Sequence, residues 1–419
     1  MPSSIALLYL ARGARGFGDG FAVIILPAYL SALGFSPVEI GLVATASLLG
    51  TSLLTLAIGF VAPRQDLRNL LLMAAGLMAA TGLALPHFEH LALILMVAFV
   101  GTVNPSAGDL GVAVPLEHAM LARGVSNADR TRVFARYSLI GALATAAGAL
   151  AAALPDFLVL AGIGKLGAFK LMFYAYAALG LLSAMLYRRL PHVRMDEAGP
   201  SAPLGPSRGA VYKLAALFSL DAFAGGFVVQ SLLALWLFEK FELSLSAASV
   251  FFFWSSVFSA FSYPIAAWLA GRIGLINTMV YTHIPSSIFL ILAAFSPNLW
   301  VALALLLVRS ALSQMDVPTR TSYVMAIVTP AERTAAASVT AVPRGLASSI
   351  SPAMAGILLS TPFSGLPLIV CGVLKIVYDV ALLYSFRHVK PPEEQGEAAA
   401  PELSPVPKVD NPPTRDGRA

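Results

Sequence analysis

The sequence predicts an all-α membrane protein with twelve transmembrane helices in two pseudo-symmetric six-helix halves. The first observation is composition, because 58% of the residues are hydrophobic and only 12% are charged, too few to cover a soluble protein of 419 residues. The second is a succession of apolar stretches of about 20 residues, each long enough to cross a bilayer as a helix. The third is a near-repeat, because Ala128–Thr131 (ADRT) and Ala331–Thr334 (AERT) each follow an apolar stretch that contains an aspartate. The sequence therefore predicts an internal repeat of one structural module.

Polar turns delimit the individual spans. They place the helices at about 5–33, 38–62, 68–86, 91–121, 130–154, 166–187, 211–238, 246–270, 276–295, 299–328, 335–360 and 364–386. The fourth and tenth spans are the least hydrophobic. The polar segment Asn104–Asp109 interrupts the fourth, and Gln314–Arg320 contributes several polar groups to the tenth. Both interruptions fall at matching places in the two halves, which supports the repeat.

The longest internal polar connector divides the spans into two sets of six. The N-terminal half is predicted at 1–187, a proline-rich cytoplasmic connector at 188–210 and the C-terminal half at 211–390. Residues 391–419 are rich in Pro, Glu and Ala and have no apolar period, so we predict a disordered cytoplasmic tail.

Basic residues are distributed unevenly over the predicted loops. One set of loops and span ends contains most of the Arg and Lys residues, including Arg64 and Arg68, and the opposite set contains only Lys165, Lys170 and Lys240. The positive-inside rule therefore predicts that both termini are cytoplasmic. We expect an integral protein of a bacterial inner membrane.

Several kinds of chemistry have no counterpart in the sequence. The single cysteine, Cys371, excludes disulfides within the chain and multi-cysteine metal sites. The chain has no G-x-x-x-x-G-K-S/T loop, no H-E-x-x-H motif and no His or Cys cluster at metal-ligand spacing. We therefore expect no cofactor, no metal, no nucleic-acid partner and no enzymatic activity.

Two loops share a motif of glycine and arginine residues. Gly59–Asn69 follows span two and Leu269–Asn277 follows span eight. Together with Leu26–Leu30 in span one, they resemble the major facilitator superfamily, whose loop between helices two and three has a pattern like G-x-L-x-D-R-x-G-R-R/K. Pro63 and Gly271 stand where that pattern has aspartate.

The resemblance implies a secondary active transporter that moves a small organic solute across the lipid bilayer by alternating access of two rocking halves. Proton coupling is expected, and efflux is preferred to uptake. Two alternatives stay open at this point: a receptor or scaffold that kept the fold and lost transport, and a uniporter that ignores a proton gradient.

Charged residues inside apolar spans cost about 2.5 to 3.5 kcal/mol each on insertion scales, so each is a functional candidate. Asp19 lies about halfway along span one, four residues after Arg15, and the resemblance places span one beside the central cavity. Asp221 in span seven matches Arg15 when the glycine–phenylalanine pairs of the two spans are superposed. We predict proton coupling through Asp19 and Asp221, with Arg15 pairing with each in turn. The alternative is a fixed structural pair of Arg15 and Asp19.

Other polar groups within the spans are candidate solute ligands. Arg309 lies deep in span ten and has no acid three or four residues away, so it suits an anionic solute or a salt bridge to another helix. Gln230 in span seven and Asn104 in span four are uncharged and suited to hydrogen bonding with a solute. With Arg15, these residues form the predicted substrate-binding set.

The resemblance also implies a conformational charge network at the cytoplasmic side. Its predicted members are Arg64, Arg68, Asp109, Arg272, Asp316 and Arg320.

Three further residues or pairs receive structural interpretations. Lys375 and Asp379, four apart in span twelve, are expected to neutralise each other. Glu117 is expected to be solvated near the end of span four, and His283 to be a hydrogen-bonded core residue.

Overall fold

The computed structural model describes residues 2–62, 65–106, 111–123, 127–193, 204–329 and 332–389. Arg64, Asp109, part of the predicted connector and the predicted tail at 391–419 lie outside these residues. Within the described ranges, the protein is all-α, as predicted, and nine helices or helix pairs are long and apolar enough to cross a membrane.

The helices follow one another with short connections. They are α1 (Pro2–Ala32), α2 (Pro37–Val61), α3 (Leu67–Ala84), α4 (Leu91–Val100), α5 (Ala113–Arg123), α6 (Asn127–Ala151), α7 (Leu154–Leu160), α8 (Lys165–Arg188), α9 (Arg208–Gly226), α10 (Gln230–Phe241), α11 (Leu245–Ile273), α12 (Leu275–Phe295), α13 (Leu299–Ser313), α14 (Asp316–Ile327), α15 (Arg333–Leu359) and α16 (Leu366–Phe386).

Three of the predicted spans are broken rather than continuous. Span four consists of α4 and α5, span seven of α9 and α10, and span ten of α13 and α14. The break in span four begins at Gly101, which is extended, and the break in span seven runs through Val229, also extended. The two breaks meet, because the backbone N–H of Ser231 donates to the carbonyl of Pro105 at 3.0 Å. A backbone group that leaves its helix inside a membrane needs such a partner.

Each half packs mainly within itself. In the N-terminal half, α1 packs on α6 and α8, α3 on α8, and α2 on α4. In the C-terminal half, α9 packs on α15 and α16, and α12 packs on α13 and α16. The main contacts between the halves join α2 to α15, α6 to α11 and α1 to α10. The halves are therefore joined through a few pairs of helices.

Close contacts between the halves lie at the end of the bundle where α2 begins. A Cβ atom on Gly41 would come within 2.5 Å of the Pro352 carbonyl oxygen, so α2 and α15 touch backbone to backbone there. At the same end, Ser246 donates to Asp156 from its N–H at 2.9 Å and from its hydroxyl at 2.7 Å. The buried residues of α2 all lie before Thr51. Toward the arginine-rich end, where α2 ends and α3 begins, α2 is more exposed.

One carboxylate clamp in each half lies at the arginine-rich end. Asp66 accepts hydrogen bonds from the His192 ring, from the Val193 N–H at 3.2 Å and from the Arg68 N–H at 2.9 Å. Burial acts to raise the pKa of Asp66, but these hydrogen bonds outweigh it and hold the pKa below its ordinary value. The clamp ties the start of α3 to the segment after α8.

The second clamp is Glu332, in the AERT repeat. It accepts hydrogen bonds from the Thr329 hydroxyl at 2.8 Å, the Gly205 N–H at 2.5 Å and the Ser207 hydroxyl at 2.9 Å. The Thr329 hydroxyl and then the Gly205 N–H are the main causes that lower the pKa of Glu332 to about 2. The repeated string thus secures the segment before α9 to the start of α15.

The contact at Gly41 gives a direct test of the closed end. Gly41→Val forces α2 away from α15, and such overpacking destabilises a protein by about 1–3 kcal/mol. We expect a lower unfolding temperature for the purified protein in detergent. The matched control is Gly59→Val in the same helix, where a Cβ meets no atom within 4 Å. An equal loss of stability in both variants would contradict the contact.

The Glu332 clamp predicts a pH dependence. Because folding lowers the pKa of this carboxyl, its stabilisation is full above the ordinary glutamate value of about 4.5 and is lost as the pH falls through about 2. Hydrogen exchange of the Gly205 amide, corrected for its intrinsic rate, should report the clamp. We expect Glu332→Gln to accelerate this exchange at neutral pH, and Glu242→Gln, on an exposed loop residue, to leave it unchanged. Unchanged protection in Glu332→Gln would contradict the assignment.

Candidate functional site

The N-half cluster consists of Arg15 on α1, Glu117 on α5, Tyr137 on α6 and Tyr187 on α8. Arg15 forms an ion pair with Glu117 and donates from Nε to the Tyr187 hydroxyl at 3.0 Å. Glu117 also accepts hydrogen bonds from the Tyr187 hydroxyl at 2.6 Å and from the Tyr137 hydroxyl. The expectation that Glu117 is solvated is wrong, because its side chain is fully buried. Burial without these partners would be costly, so the cluster explains how four helices accommodate a carboxylate.

Asp19 lies one turn further along α1, outside the N-half cluster. Its Oδ1 accepts a hydrogen bond from the Tyr176 hydroxyl at 3.2 Å, and Arg15 acts on it electrostatically. The ion pair of Arg15 is formed with Glu117 and not with Asp19, so the expected fixed pair of Arg15 and Asp19 is not the arrangement found. Asp19 instead lines a small pocket together with Arg12, Arg15 and Tyr176.

A glycine positions this part of α1. A Cβ atom on Gly20 would come within 3.0 Å of the Ala149 N atom and would overlap the Thr145 carbonyl. Only a residue without a side chain allows α1 and α6 to approach this closely. The contact fixes the position of Asp19 along the axis of α1 relative to α6.

The C-half cluster consists of Asp221, His283, Asp316, Arg320, Lys375 and Asp379. Asp221 on α9 is its centre, with Oδ2 3.0 Å from Arg320 Nη1 and Oδ1 2.6 Å from Lys375 Nζ. Arg320 also pairs with Asp316, one turn earlier on α14, at 3.3 Å. Two of the predicted network residues, Asp316 and Arg320, therefore belong to the same cluster as the predicted proton-coupling residue Asp221.

His283 on α12 joins two further members of the C-half cluster. Its Nδ1 lies 3.0 Å from Asp379 Oδ1, and its Nε2 lies 3.2 Å from Lys375 Nζ. The expectation that Lys375 and Asp379 neutralise each other is wrong, because Lys375 binds Asp221 and Asp379 binds His283. His283 is a buried hydrogen-bonded residue, as predicted, but both of its partners are charged.

The two clusters are related by the sequence repeat with their charges exchanged. Arg15 corresponds to Asp221 by the glycine–phenylalanine match. Glu117 precedes Arg130 by the same 13 positions by which Arg320 precedes Arg333. The cation on α1 and the acid on α5 thus become an acid on α9 and a cation on α14. Sequence reasoning missed Glu117, although this spacing was available as a signal.

The remaining predicted solute ligands lie in different places. Gln230 begins α10 at the break of span seven, beside the Ser231–Pro105 hydrogen bond. Asn104 is buried in the break of span four, where its Oδ1 accepts the Ser106 N–H at 2.9 Å. Arg309 lies near the end of α13, just before the break in span ten, and among the described residues its guanidinium forms no ion pair or hydrogen bond.

Two members of the predicted charge network lie apart from both clusters. Arg68 approaches the ring of His192 at 2.8 Å, and Arg272 stacks over the Trp268 ring at 4.2 Å from its centroid. Arg64 and Asp109 lie outside the described residues. The structure therefore brings Asp316 and Arg320 together, and places Arg68 at the start of α3 and Arg272 at the end of α11.

The N-half cluster predicts a double-mutant effect. Glu117→Gln leaves Arg15 buried without its counter-charge, which typically costs about 3–5 kcal/mol. We expect a strong loss of thermal stability and partial recovery in the Arg15→Gln/Glu117→Gln double variant, which removes both charges. Glu89→Gln, at an exposed loop carboxylate, is the control. Stability in Glu117→Gln equal to that of the control would contradict the cluster.

Comparison with known proteins agrees with the fold. The chain is 24% identical over 422 residues to the uncharacterized membrane protein YJR124C of Saccharomyces cerevisiae, covering 92% of this chain and 94% of that protein. The fold is similar to that of the nucleoside transporter NupG, with a TM-score of 0.73, 16% identity and coverage of 92% of this chain and 99% of that one. It is also similar to the inward-open xylose transporter XylE of E. coli, with a TM-score of 0.68, 15% identity and coverage of 90% and 95%.

A family model described as Major Facilitator Superfamily matches residues 8–219 and again residues 214–414. The two matches together cover both predicted halves of the chain. The chain belongs to the major facilitator superfamily of membrane transporters.

Proposed function

We propose that this protein is a proton-coupled secondary active transporter of a small organic solute, with Asp19 as the principal proton carrier. The observation that carries the proposal is the position of Asp19, a carboxylate on α1 that lines a pocket beside two arginines. A carboxylate that meets water in one state and a cation in another can bind and release a proton during the cycle.

The central carboxylates of the two clusters, Glu117 and Asp221, have more partners than Asp19. Glu117 is bonded to Arg15 and two tyrosines, and Asp221 is bonded to Arg320 and Lys375. Within the part of the chain that the structure describes, Asp19 accepts one hydrogen bond, from Tyr176, and its side chain is partly buried. A proton added to Asp19 therefore disrupts fewer contacts than a proton added to either cluster. We propose Asp221 as the second residue that couples transport to protons. In other states of the cycle, Arg15 is proposed to form an ion pair first with one and then with the other of Asp19 and Asp221.

The packing of the halves supports alternating access. The backbone contacts at Gly41 and the Ser246–Asp156 hydrogen bonds lie at the end opposite the arginine-rich loops. By the positive-inside rule the arginine-rich end is cytoplasmic. On this proposal the protein is closed to the outside and opens toward the cytoplasm. A bacterial inner membrane stays a prediction.

The solute is proposed to bind where the breaks of spans four and seven meet. Asn104 and Gln230 lie at the two breaks, and Arg15 lines the pocket on α1. Arg309 is included as a cation for an anionic group, to be reached in another state. Nucleosides and xylose, the solutes named for the two structural neighbours, are polar organic compounds, and they form the first test panel together with organic anions. Efflux is the proposed direction.

Asp19→Asn provides the principal test. The solute is one that stabilises the protein in a thermal-shift screen. When it is added to proteoliposomes that contain the wild-type protein, we expect a pH gradient to drive its accumulation. In Asp19→Asn, the flux driven by the pH gradient should be at least about tenfold lower, because the proton carrier is gone. Exchange of solute across the membrane at equal pH should remain, because solute binding is retained.

Glu242→Gln, an exposed acid at the end of α10, is the matched control. Full driven flux in Asp19→Asn would contradict the assignment of Asp19. Wild-type flux that ignores the gradient would indicate a uniporter, and binding without any flux would indicate a receptor or scaffold.

A further inference from the structure

His283 is held between an anion and a cation inside the C-terminal half. Its Nδ1 is 3.0 and 3.1 Å from the two oxygens of Asp379, and its Nε2 is 3.2 Å from Lys375 Nζ. A carboxylate can only accept a hydrogen bond and an ammonium can only donate one. The hydrogen-bond network therefore assigns the ring hydrogen to Nδ1 and leaves Nε2 as an acceptor, so that the imidazole is neutral in this arrangement.

A second carboxylate lies within reach of the same ring nitrogen. Asp221 Oδ1 is 2.6 Å from Lys375 Nζ and 3.9 Å from His283 Nε2. A hydrogen on Nε2 would point directly at the ammonium, and two cations at this distance repel strongly in a buried site. If Lys375 withdraws, the same hydrogen can be donated to Asp221 after an approach of about 1 Å. Lys375 and a protonated His283 thus compete for one oxygen atom.

The surroundings allow Lys375 to leave. Its side chain is 13% exposed, compared with 2% for His283 and 5% for Asp221. The helix facing Lys375 Nζ has a glycine, Gly225, where a Cβ atom would lie 3.9 Å from Nζ. Asp221 would keep its bond to Arg320, so the departure of Lys375 does not leave this carboxylate without a cation.

Charged and titratable groups face this site from each helix packed around it. In addition to Asp221, Lys375 and Asp379, they are Asp316 and Arg320 on α14, Arg344 on α15, and Cys371 and Tyr378 on α16, with Arg309 on α13 near Cys371. The charged residue of α11, Arg272, lies at the arginine-rich end on Trp268.

We propose that His283 is a proton-binding site whose occupation displaces Lys375 from Asp221. A hydronium ion from the solvent gives its proton to Nε2, so that one O–H bond breaks, one N–H bond forms and a water molecule is left. The imidazolium then donates to Asp221 Oδ1 while Nδ1 stays hydrogen-bonded to Asp379. The Lys375 ammonium is released toward Gly225, and no electrons are transferred. The use of this proton for transport rests on the proposed function, whereas the proton-binding site itself does not.

The test uses histidine-labelled full-length protein in lipid nanodiscs and follows the imidazole NMR signals against pH. The His283 signal is identified by its loss in His283→Gln, a variant whose amide can reproduce the neutral ring's hydrogen bonds. In Lys375→Met, which removes the competing cation, we expect the His283 signal to change to its protonated form at a pH at least about one unit higher than in the wild type. In Asp221→Asn, which removes the acceptor, we expect the change at lower pH.

Lys240→Met is the matched lysine control, because Lys240 binds the Ala294 carbonyl at the far end of α10. It should leave the His283 titration unchanged. The proposal is overturned if Lys375→Met and Asp221→Asn both leave the pH of the change where it is in the wild type, or if His283 does not titrate in Lys375→Met. The measurement needs no transport, so a failure of the proposed transport function would be seen separately in the flux assay.

Discussion

Neutralisation of buried charge within each half is the constraint on which the structure depends. A buried ion pair is at best a modest source of stability, but an unpaired buried ion costs several kcal/mol. Arg15 is matched by Glu117 in the N-terminal half, and Asp221 by Arg320 and Lys375 in the C-terminal half. Because neither cluster takes these counter-charges from the other half in this arrangement, the two halves can rock without breaking the ion pairs of either cluster.

The repeat exchanges the signs of the two clusters and then departs from symmetry. Arg15 and Asp221 occupy matching positions, as do Glu117 and Arg320. The N-half cluster is completed by two tyrosine hydroxyls, which hold a carboxylate without titrating near neutral pH. The C-half cluster instead includes a histidine and a lysine, groups that can exchange protons and partners. Asp19, beside the pocket, has no counterpart of equal charge on α9, where the matching residue is Gly225.

Much of the fold was predictable because its signal is periodic and compositional. Apolar length predicted the spans, and nine helices or helix pairs of the described residues are long and apolar enough to cross a membrane. The repeated string Ala331–Thr334 contains Glu332, which forms a clamp. The breaks in spans four and seven were harder to predict, since their stability depends on a hydrogen bond between Ser231 and Pro105 far apart in sequence.

The candidate site was predictable only in part, for the same reason. Arg15, Asp19 and Asp221 were recognisable as charges in apolar spans, but their partners come from other helices. Spacing along one helix suggested that Lys375 pairs with Asp379, and tertiary packing overrides this by bringing Asp221 and His283 closer. Glu117 lies near a helix end in the sequence, and only the arrangement of α1, α6 and α8 around it shows that it is buried.

The central claim is that the two halves, each with its own ion-paired cluster, move as rigid bodies about the contacts near Gly41. Spin-label distance measurements between Asn69→Cys on α3 and Gly271→Cys on α11, both exposed at the arginine-rich end, test it most directly, with Asn69→Cys and Arg188→Cys as a pair within one half. The account predicts that solute and a change of pH shorten the distance between the halves and leave the distance within the half unchanged. A fixed distance between the halves during active transport, or an equal change within one half, would contradict it.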